Sequence, residues 1–289
     1  MNAIELATSF VPILDEVYKE ASLTAHLDGA AELAAQGANA NELIIPMIEM
    51  QGLGDYSRNG GYVNGDVTLT NETVKCNYDR GRKFVVDTMD NLETAGIAFG
   101  RLSGEFVRTK VVPEIDAFRF ASYAGLEGIS KVEVGAELTT GEEVIAALRA
   151  AWAKMNEDEV PQSDRHLHIT SHALGLVEDM DTTKSKKLME RFASITEVPQ
   201  NRFYTAIDLK SGKSGEAAGG YVKSADAKDI NFMIIHKPAV IQYPKHVAPK
   251  IIEPSVNQDS DGYIFGYRNV GIADGYKNKR AGIYLHYAE

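Results

Sequence analysis

The sequence predicts an α+β protein, with its strand-rich and helix-rich stretches laid out in separate blocks. Three observations carry this. A glycine-rich run over residues 51–66 lies between two apolar stretches of strand character. A long helical stripe follows it. Beyond that, residues 140–250 alternate helix and strand patterns before two closing strands. The composition suits a folded chain: of 289 residues, 44% are hydrophobic and 25% charged. That balance excludes a disordered or collagen-like chain, and no run of about 18 uncharged apolar residues offers a membrane span.

Residues 1–35 place Ile4, Leu6, Phe10, Ile13, Leu14, Val17 and Leu23 at near-helical spacing, with Pro12 as a break or start. Ala30 to Ala40 reads as a hinge. Leu43 to Met50 reads as a strand, and Asn59-Gly60-Gly61 and Asn64-Gly65-Asp66 are turn signals. Val67 to Asp87 reads as the returning strand, so that 43–87 forms an extended hairpin reaching away from its own core.

Asp90 to Arg108 carries the clearest helix. Asp90 suits the N-cap, with Glu93 in capping-box spacing. Leu92, Ala95, Phe99, Leu102 and Phe106 fall on one face. Gly96, Gly100 and Gly104 form another stripe, which suits close approach of a strand or loop; Arg101, Glu105 and Arg108 keep it out of a membrane. A second helix is expected from Pro113, a residue suited to the first helical position, and Gly125 or Gly128 stops it.

Further on, Gly141–Asn156 reads as an amphipathic helix, 166–177 as a strand, 182–194 as a helix and 202–209 as a strand. Ser211 to Gly220 reads as a flexible loop and Ile230 to Ile235 as a buried strand. Lys237 to Pro254 reads as irregular, because of its prolines. Gly262–Arg268 and Gly282–His286 are expected to form a terminal hairpin.

Several sequence blocks point further. Gly52-Leu53-Gly54-Asp55-Tyr56-Ser57-Arg58-Asn59-Gly60-Gly61-Tyr62, Tyr78-Asp79-Arg80-Gly81, Val86-Asp87-Thr88-Met89-Asp90 and Val112-Pro113-Glu114-Ile115-Asp116-Ala117 resemble blocks in major capsid proteins of tailed bacteriophages. The resemblance covers about residues 11–127. It implies the Hong Kong 97-like capsid fold. That fold would give an N-terminal arm (1–42), an E-loop hairpin with a P-domain strand (43–87) and a P-domain spine-helix region (88–135). An A-domain (136–255) and a terminal β-hairpin returning to the P-domain (256–289) would follow. It also implies a structural protein, not an enzyme, that assembles as hexamers and pentamers into an icosahedral shell around double-stranded DNA. The location would be the virion, after synthesis in the bacterial cytoplasm. The stretch before the hairpin is short, so a separate scaffolding protein is expected, alongside a portal and decoration proteins.

A long two-stranded hairpin is marginal by itself in water and needs a surface to lie on. Tyr56, Arg58, Asn59, Tyr62, Tyr78, Arg80 and Arg82 suit contact with a neighbouring subunit, since Tyr and Arg are enriched at interfaces. The competing reading is a hairpin packed on its own domain, with solvated arginines. Leu92, Ala95, Phe99, Leu102 and Phe106 are expected to pack the spine helix.

The net charge is −11, from 30 Lys+Arg against 41 Asp+Glu, so the chain would touch packaged DNA only non-specifically and would not condense it. Lys75, Arg80, Arg82 and Lys83, then Lys277, Lys279 and Arg280, are the basic spots. They serve phosphates or intersubunit ion pairs.

No cofactor or metal is expected. His166 and His168 would share one face of a strand and could begin a metal-dependent hydrolase site, with His172 nearby, but no second motif marks further ligands. Gly212-Lys213-Ser214 ends like a phosphate loop, yet Ile207 stands where its first glycine is required. Gly52 and Gly54 are followed by Ser57 where a dinucleotide fingerprint needs glycine. Cys76, the single cysteine, reads as a small apolar strand residue rather than a nucleophile. An encapsulin-type nanocompartment shell shares the implied fold and remains the alternative function.

Overall fold

The computed structural model describes residues 22–29, 42–89, 97–180 and 182–289. The expected helix over 1–35 lies mostly outside these, as do the hinge at 30–40 and Asp90, Leu92, Glu93, Ala95 and Gly96. The described part of the N-terminal region, 22–29, holds a 3-10 turn at Ala25–Leu27, with Leu27 buried.

Strands β1 (Glu42–Met50) and β2 (Val67–Lys75) pair antiparallel from Glu42 opposite Lys75 to Met50 opposite Val67. Among the described residues they join no other sheet. The hairpin therefore ends at Lys75, not Asp87. Strand β3 (Tyr78–Asp87) belongs to a different sheet. Asn77 makes the switch: its side-chain amide donates to the Ala273 carbonyl at 2.7 Å and its carbonyl accepts from Ala273 N–H at 3.1 Å.

Helix α1 (Ile97–Phe106) runs through a π-helical turn (Val107–Val111) directly into α2 (Val112–Ala124). The expected boundary at Pro113 is thus a bulge within a continuing helix. A proline ring crowds the carbonyl four residues back, here Thr109, and the wider π turn opens that spacing. The Thr109 hydroxyl also donates to the Glu105 carbonyl at 2.7 Å. Among the glycines of the predicted stripe, Gly104 has open space where a side chain would begin, so no strand or loop of the described chain approaches it there.

After α2 come β4 (Ser130–Lys131), α3 (Gly141–Glu157) and β5 (Arg165–Thr170). Helix α3 opens with a full capping box between Thr140 and Glu143. The expected strand over 166–177 stops at Thr170, whose hydroxyl accepts from Ala173 N–H, and α4 (Ser171–Met180) takes over. Helix α5 (Thr183–Met189) is shorter than expected, because β6 (Ser194–Val198) begins where the helix was extended to. A 3-10 turn at Gln200–Arg202 precedes β7 (Ile207–Leu209), where one strand was expected; β8 (Tyr221–Lys223) and β9 (Ile230–His236) follow.

The stretch expected to be irregular forms β10 (Val240–Ile252), which pairs with β11 (Gly262–Gly275). It tolerates its prolines because it is the edge of the sheet ordered β10-β11-β3. The last strand, β12 (Ile283–Tyr287), lies between β4 and β9 in the sheet ordered β4-β12-β9-β5-β6. The anticipated terminal hairpin over 256–289 is therefore corrected: β11 and β12 go to separate sheets.

Two cores meet at α2. Val107, Val111, Val112 and Ile115 pack with Tyr78, Phe265 and Tyr267 of the three-stranded sheet. One turn on, Phe120 and Tyr123 pack with Leu27, Phe203, Met233, Ile235 and Leu285 against the five-stranded sheet. The far face of that sheet is covered by α3, through Val144, Leu148 and Trp152, together with Ala173 and Val177 of α4.

Candidate assembly interface

Among the described residues, the hairpin is held to its own chain at its base. Val74 is buried with Ile241 and Ile272, and Cys76 packs beside them. Away from the base the described side chains turn apolar surface to solvent: Met50, Leu53, Tyr56, Tyr62, Val63, Val67 and Leu69 are all more than half exposed. Monomeric proteins rarely leave so much contiguous apolar surface uncovered.

The tip is nonetheless shaped. Gln51 and Asp66 close its neck, with Asp66 N–H donating to the Gln51 side-chain oxygen at 3.2 Å. Ser57 and Gly61 bridge antiparallel, and Gly61 N–H donates to the Ser57 carbonyl at 2.7 Å. The turn needs Gly61 at φ +74°, where a side chain would be strained. The Tyr56 and Tyr62 rings face each other at 5.0 Å between centroids. Of the residues expected to meet a neighbour, Tyr56, Arg58, Asn59 and Tyr62 therefore stand together on this exposed tip.

Tyr78, Arg80 and Arg82 do not, because the chain has already left the hairpin for β3. Tyr78 is buried and its hydroxyl donates to Glu114 Oε1 at 3.1 Å. Burial pushes its phenol far above the usual range, and the Glu114 carboxylate adds to this. Arg80 Nε donates to the same Glu114 oxygen at 2.8 Å. Arg82 donates to the carbonyls of Ala217 and Ala218. Arg80 Nη2 also donates to the Gly220 carbonyl at 3.3 Å, so both arginines hold down the 211–220 loop, which was expected to be flexible. Gly219 sits at φ +64°, where a side chain would be strained, and its Cβ position lies 2.9 Å from Arg82 Nη1.

Of the predicted spine residues, Phe99 lies in α1, while Leu102 and Phe106 are half-buried. The Phe106 ring stands edge-on to Phe84 at 4.8 Å and to Phe265 at 6.3 Å.

Sequence reasoning missed a buried polar network that fastens residues 22–29 to α2. Asp116 accepts from the hydroxyls of Ser22 (2.8 Å) and Thr24 (2.7 Å) and from Leu23 N–H (3.1 Å). Arg119 donates to Thr24 Oγ1 and pairs with Asp28 at 3.1 Å. Gln242 of β10 donates to the Thr24 carbonyl and to Asp28, and accepts from the Tyr123 hydroxyl. An acid and an arginine three apart on a helix normally signal a solvated face, so the only available signal pointed the wrong way.

His166 and His168 do lie on one face of β5, but they meet the imidazole of His26. Ring centroids are 4.8 Å from His26 to His166 and 5.2 Å from His26 to His168, the latter pair stacked at 16°. Stacked rings do not converge on an ion. Among the described residues no group of three or more His, Cys, Asp or Glu could hold a metal. His172 is exposed on α4.

A projecting hairpin, a long helix packed on a three-stranded sheet and a five-stranded sheet flanked by helices together define a class: this is the tailed-phage, Hong Kong 97-like capsid fold. Among solved structures the chain is similar to one from Mycobacterium phage Che8, with TM-score 0.60, 14% identity, and coverage of 92% of this chain and 90% of that one. A virus-like particle from Pyrococcus furiosus gives TM-score 0.59 at 14% identity, over 94% and 95% of the two chains. The capsid of an empty GTA particle gives 0.56 at 9% identity, over 93% and 90%. No protein-family model and no curated protein matches the chain.

Proposed function

We propose that this chain is the major capsid protein of a tailed bacteriophage, a structural subunit that self-assembles as hexamers and pentamers into an icosahedral shell. The observation that carries this reading is the hairpin, whose exposed apolar side chains meet no partner among the described residues. A neighbouring copy supplies that partner in a shell. Likeness to capsid structures over nearly the full chain supports the same reading.

In this reading β1 and β2 are the E-loop, and the helix from Ile97 to Ala124 with the β10-β11-β3 sheet forms the P-domain. The five-stranded sheet with α3 to α5 forms the A-domain. Tyr56, Arg58, Asn59 and Tyr62 contact the next subunit. The function is structural rather than enzymatic and belongs to the virion. A scaffolding protein, a portal and decoration proteins are the other partners, and packaged double-stranded DNA is touched without sequence preference.

Negative-stain electron microscopy of the purified protein tests this, alongside a variant lacking residues 52–65. Wild type is expected to give shells or rings, and the deletion a folded subunit that gives neither. Normal shells from the deletion would sink the hairpin assignment. A nanocompartment shell would have the same fold and stays as the second reading. Copurified cargo protein in place of DNA would favour it.

A further inference from the structure

We propose that His26, His166 and His168 form an acid-released latch that holds residues 22–29 against the five-stranded sheet. This goes beyond the shell reading and does not depend on it. His26 is contributed by the 3-10 turn of the N-terminal segment, while His166 and His168 project from β5. The His26 ring touches both of the others, at 4.8 and 5.2 Å, so a charge on any one of the three disfavours charge on its neighbour, because adjacent cations repel in a partly buried site. His168 is fully enclosed, with Phe120 of α2 edge-on to it at 5.2 Å. His166 is fixed through Nδ1 to Ser194 Oγ of β6 at 2.7 Å.

Charges of both signs surround the cluster. Lys237, from the turn before β10, disfavours charge on both His26 and His166. Asp164, at the entry to β5, acts in the opposite sense on His166 and on His236. His236 itself lies among Arg165, Lys279 and His166, which disfavour its charge. Asp28, Asp116 and Arg119 lie on the other flank of the segment.

Burial is the main cause that lowers all three imidazoles below the usual 6.5, with His26 at about 4; neighbouring imidazoles add to it at His26 and His168, while at His166 Asp164 partly offsets it. The sign follows. Imidazoles whose folded values are lowered contribute fully above about pH 6.5, and that contribution is lost as pH falls towards 4. Asp28 works the other way: burial raises its carboxyl, so protonating it favours the docked form. Three histidines against one carboxylate leave acid release as the net outcome. The Leu27 anchor and the Asp116 network set the docked position; the histidines set the pH at which it fails.

Hydrogen exchange of the full-length chain, corrected for the intrinsic pH dependence of exchange, tests this. Protection over 22–29 is expected to fall at least about tenfold between pH 7 and 4.5, one decade per unit of linked shift. Protection over Gly141–Glu157 should stay unchanged as the internal control. In His26→Gln the fall should shrink to less than about threefold. Should His26→Gln be unprotected even at pH 7, His166→Gln is read in its place with the same expectation. Constant protection over 22–29 in wild type, simultaneous loss over 141–157, or an undiminished fall in the readable variant would each overturn the latch.

Discussion

Asp116 is fully buried yet accepts three hydrogen bonds and lies 3.6 Å from Arg202. Asp116→Ala strands those donors and leaves Arg202 without its partner. The loss is expected to be about 3 kcal/mol, read as a lower urea midpoint with an unchanged slope. His286 offers a pH test. It is stacked on Phe232 at 4.9 Å, and burial lowers it to about 4. Its contribution is complete above about pH 6.5 and is lost as pH falls through 4, so its ring resonances should titrate near 4 in an NMR series. At this scale the sequence was readable where a residue's environment is local. Tyr56, Asn59 and Tyr62 sit on a glycine-rich turn, and such turns lie on surfaces. Asp116 and Arg119 were unreadable because their partners stand more than ninety positions away at Ser22, Thr24 and Asp28.

Among elements, β10 shows how a strand survives its prolines. Pro244 pairs with Gly271 and Pro249 with Tyr267. Those partners are four apart, so a bulge between Pro244 and His246 restores both prolines to one pairing class, with the missing N–H groups on the open side. That blunts an edge which would otherwise invite another strand. Pro249→Val should leave circular dichroism unchanged and raise amorphous aggregation in light scattering. The 211–220 loop gives a second test: Arg82→Ala removes its two carbonyl contacts, and protease cleavage there should rise severalfold while the midpoint of unfolding barely moves. Helices α1 to α3 were legible because their stripes are periodic. The change of sheet at Asn77 was not: alternation of period two runs unbroken through Val74, Cys76 and Tyr78, and it says which face a residue takes, never which sheet it joins. The terminal strands failed likewise, since nearness in sequence suggested a hairpin and pairing chose β9 for β12.

For the whole molecule, folding and the proposed association draw on different residues. The cores are closed by α2, while the hairpin's exposed apolar side chains contribute little to the isolated fold. Leu53→Asp and Tyr62→Asp should therefore change unfolding free energy by no more than about 0.5 kcal/mol. The same variants should abolish shells or rings under the microscope. A variant that assembles normally would move the contact elsewhere on the surface. The overall α+β layout and the order of elements could be read from the sequence, because each block carries its own periodicity and turn signals; how the blocks share sheets could not.

The hairpin is tethered at one end, and this has a mechanical side. Nine residues per strand at about 3.3 Å each make an arm of roughly 30 Å. Turning it by about 10° at Cys76 and Asn77 would carry the tip some 5 Å, by the same rough geometry, while breaking none of the pairs along the ribbon. A cantilever of this kind converts a small change of slope at its root into a large change of reach. In the proposed shell, one sequence could then meet neighbours set at several different inclinations while keeping the same contacts at the tip.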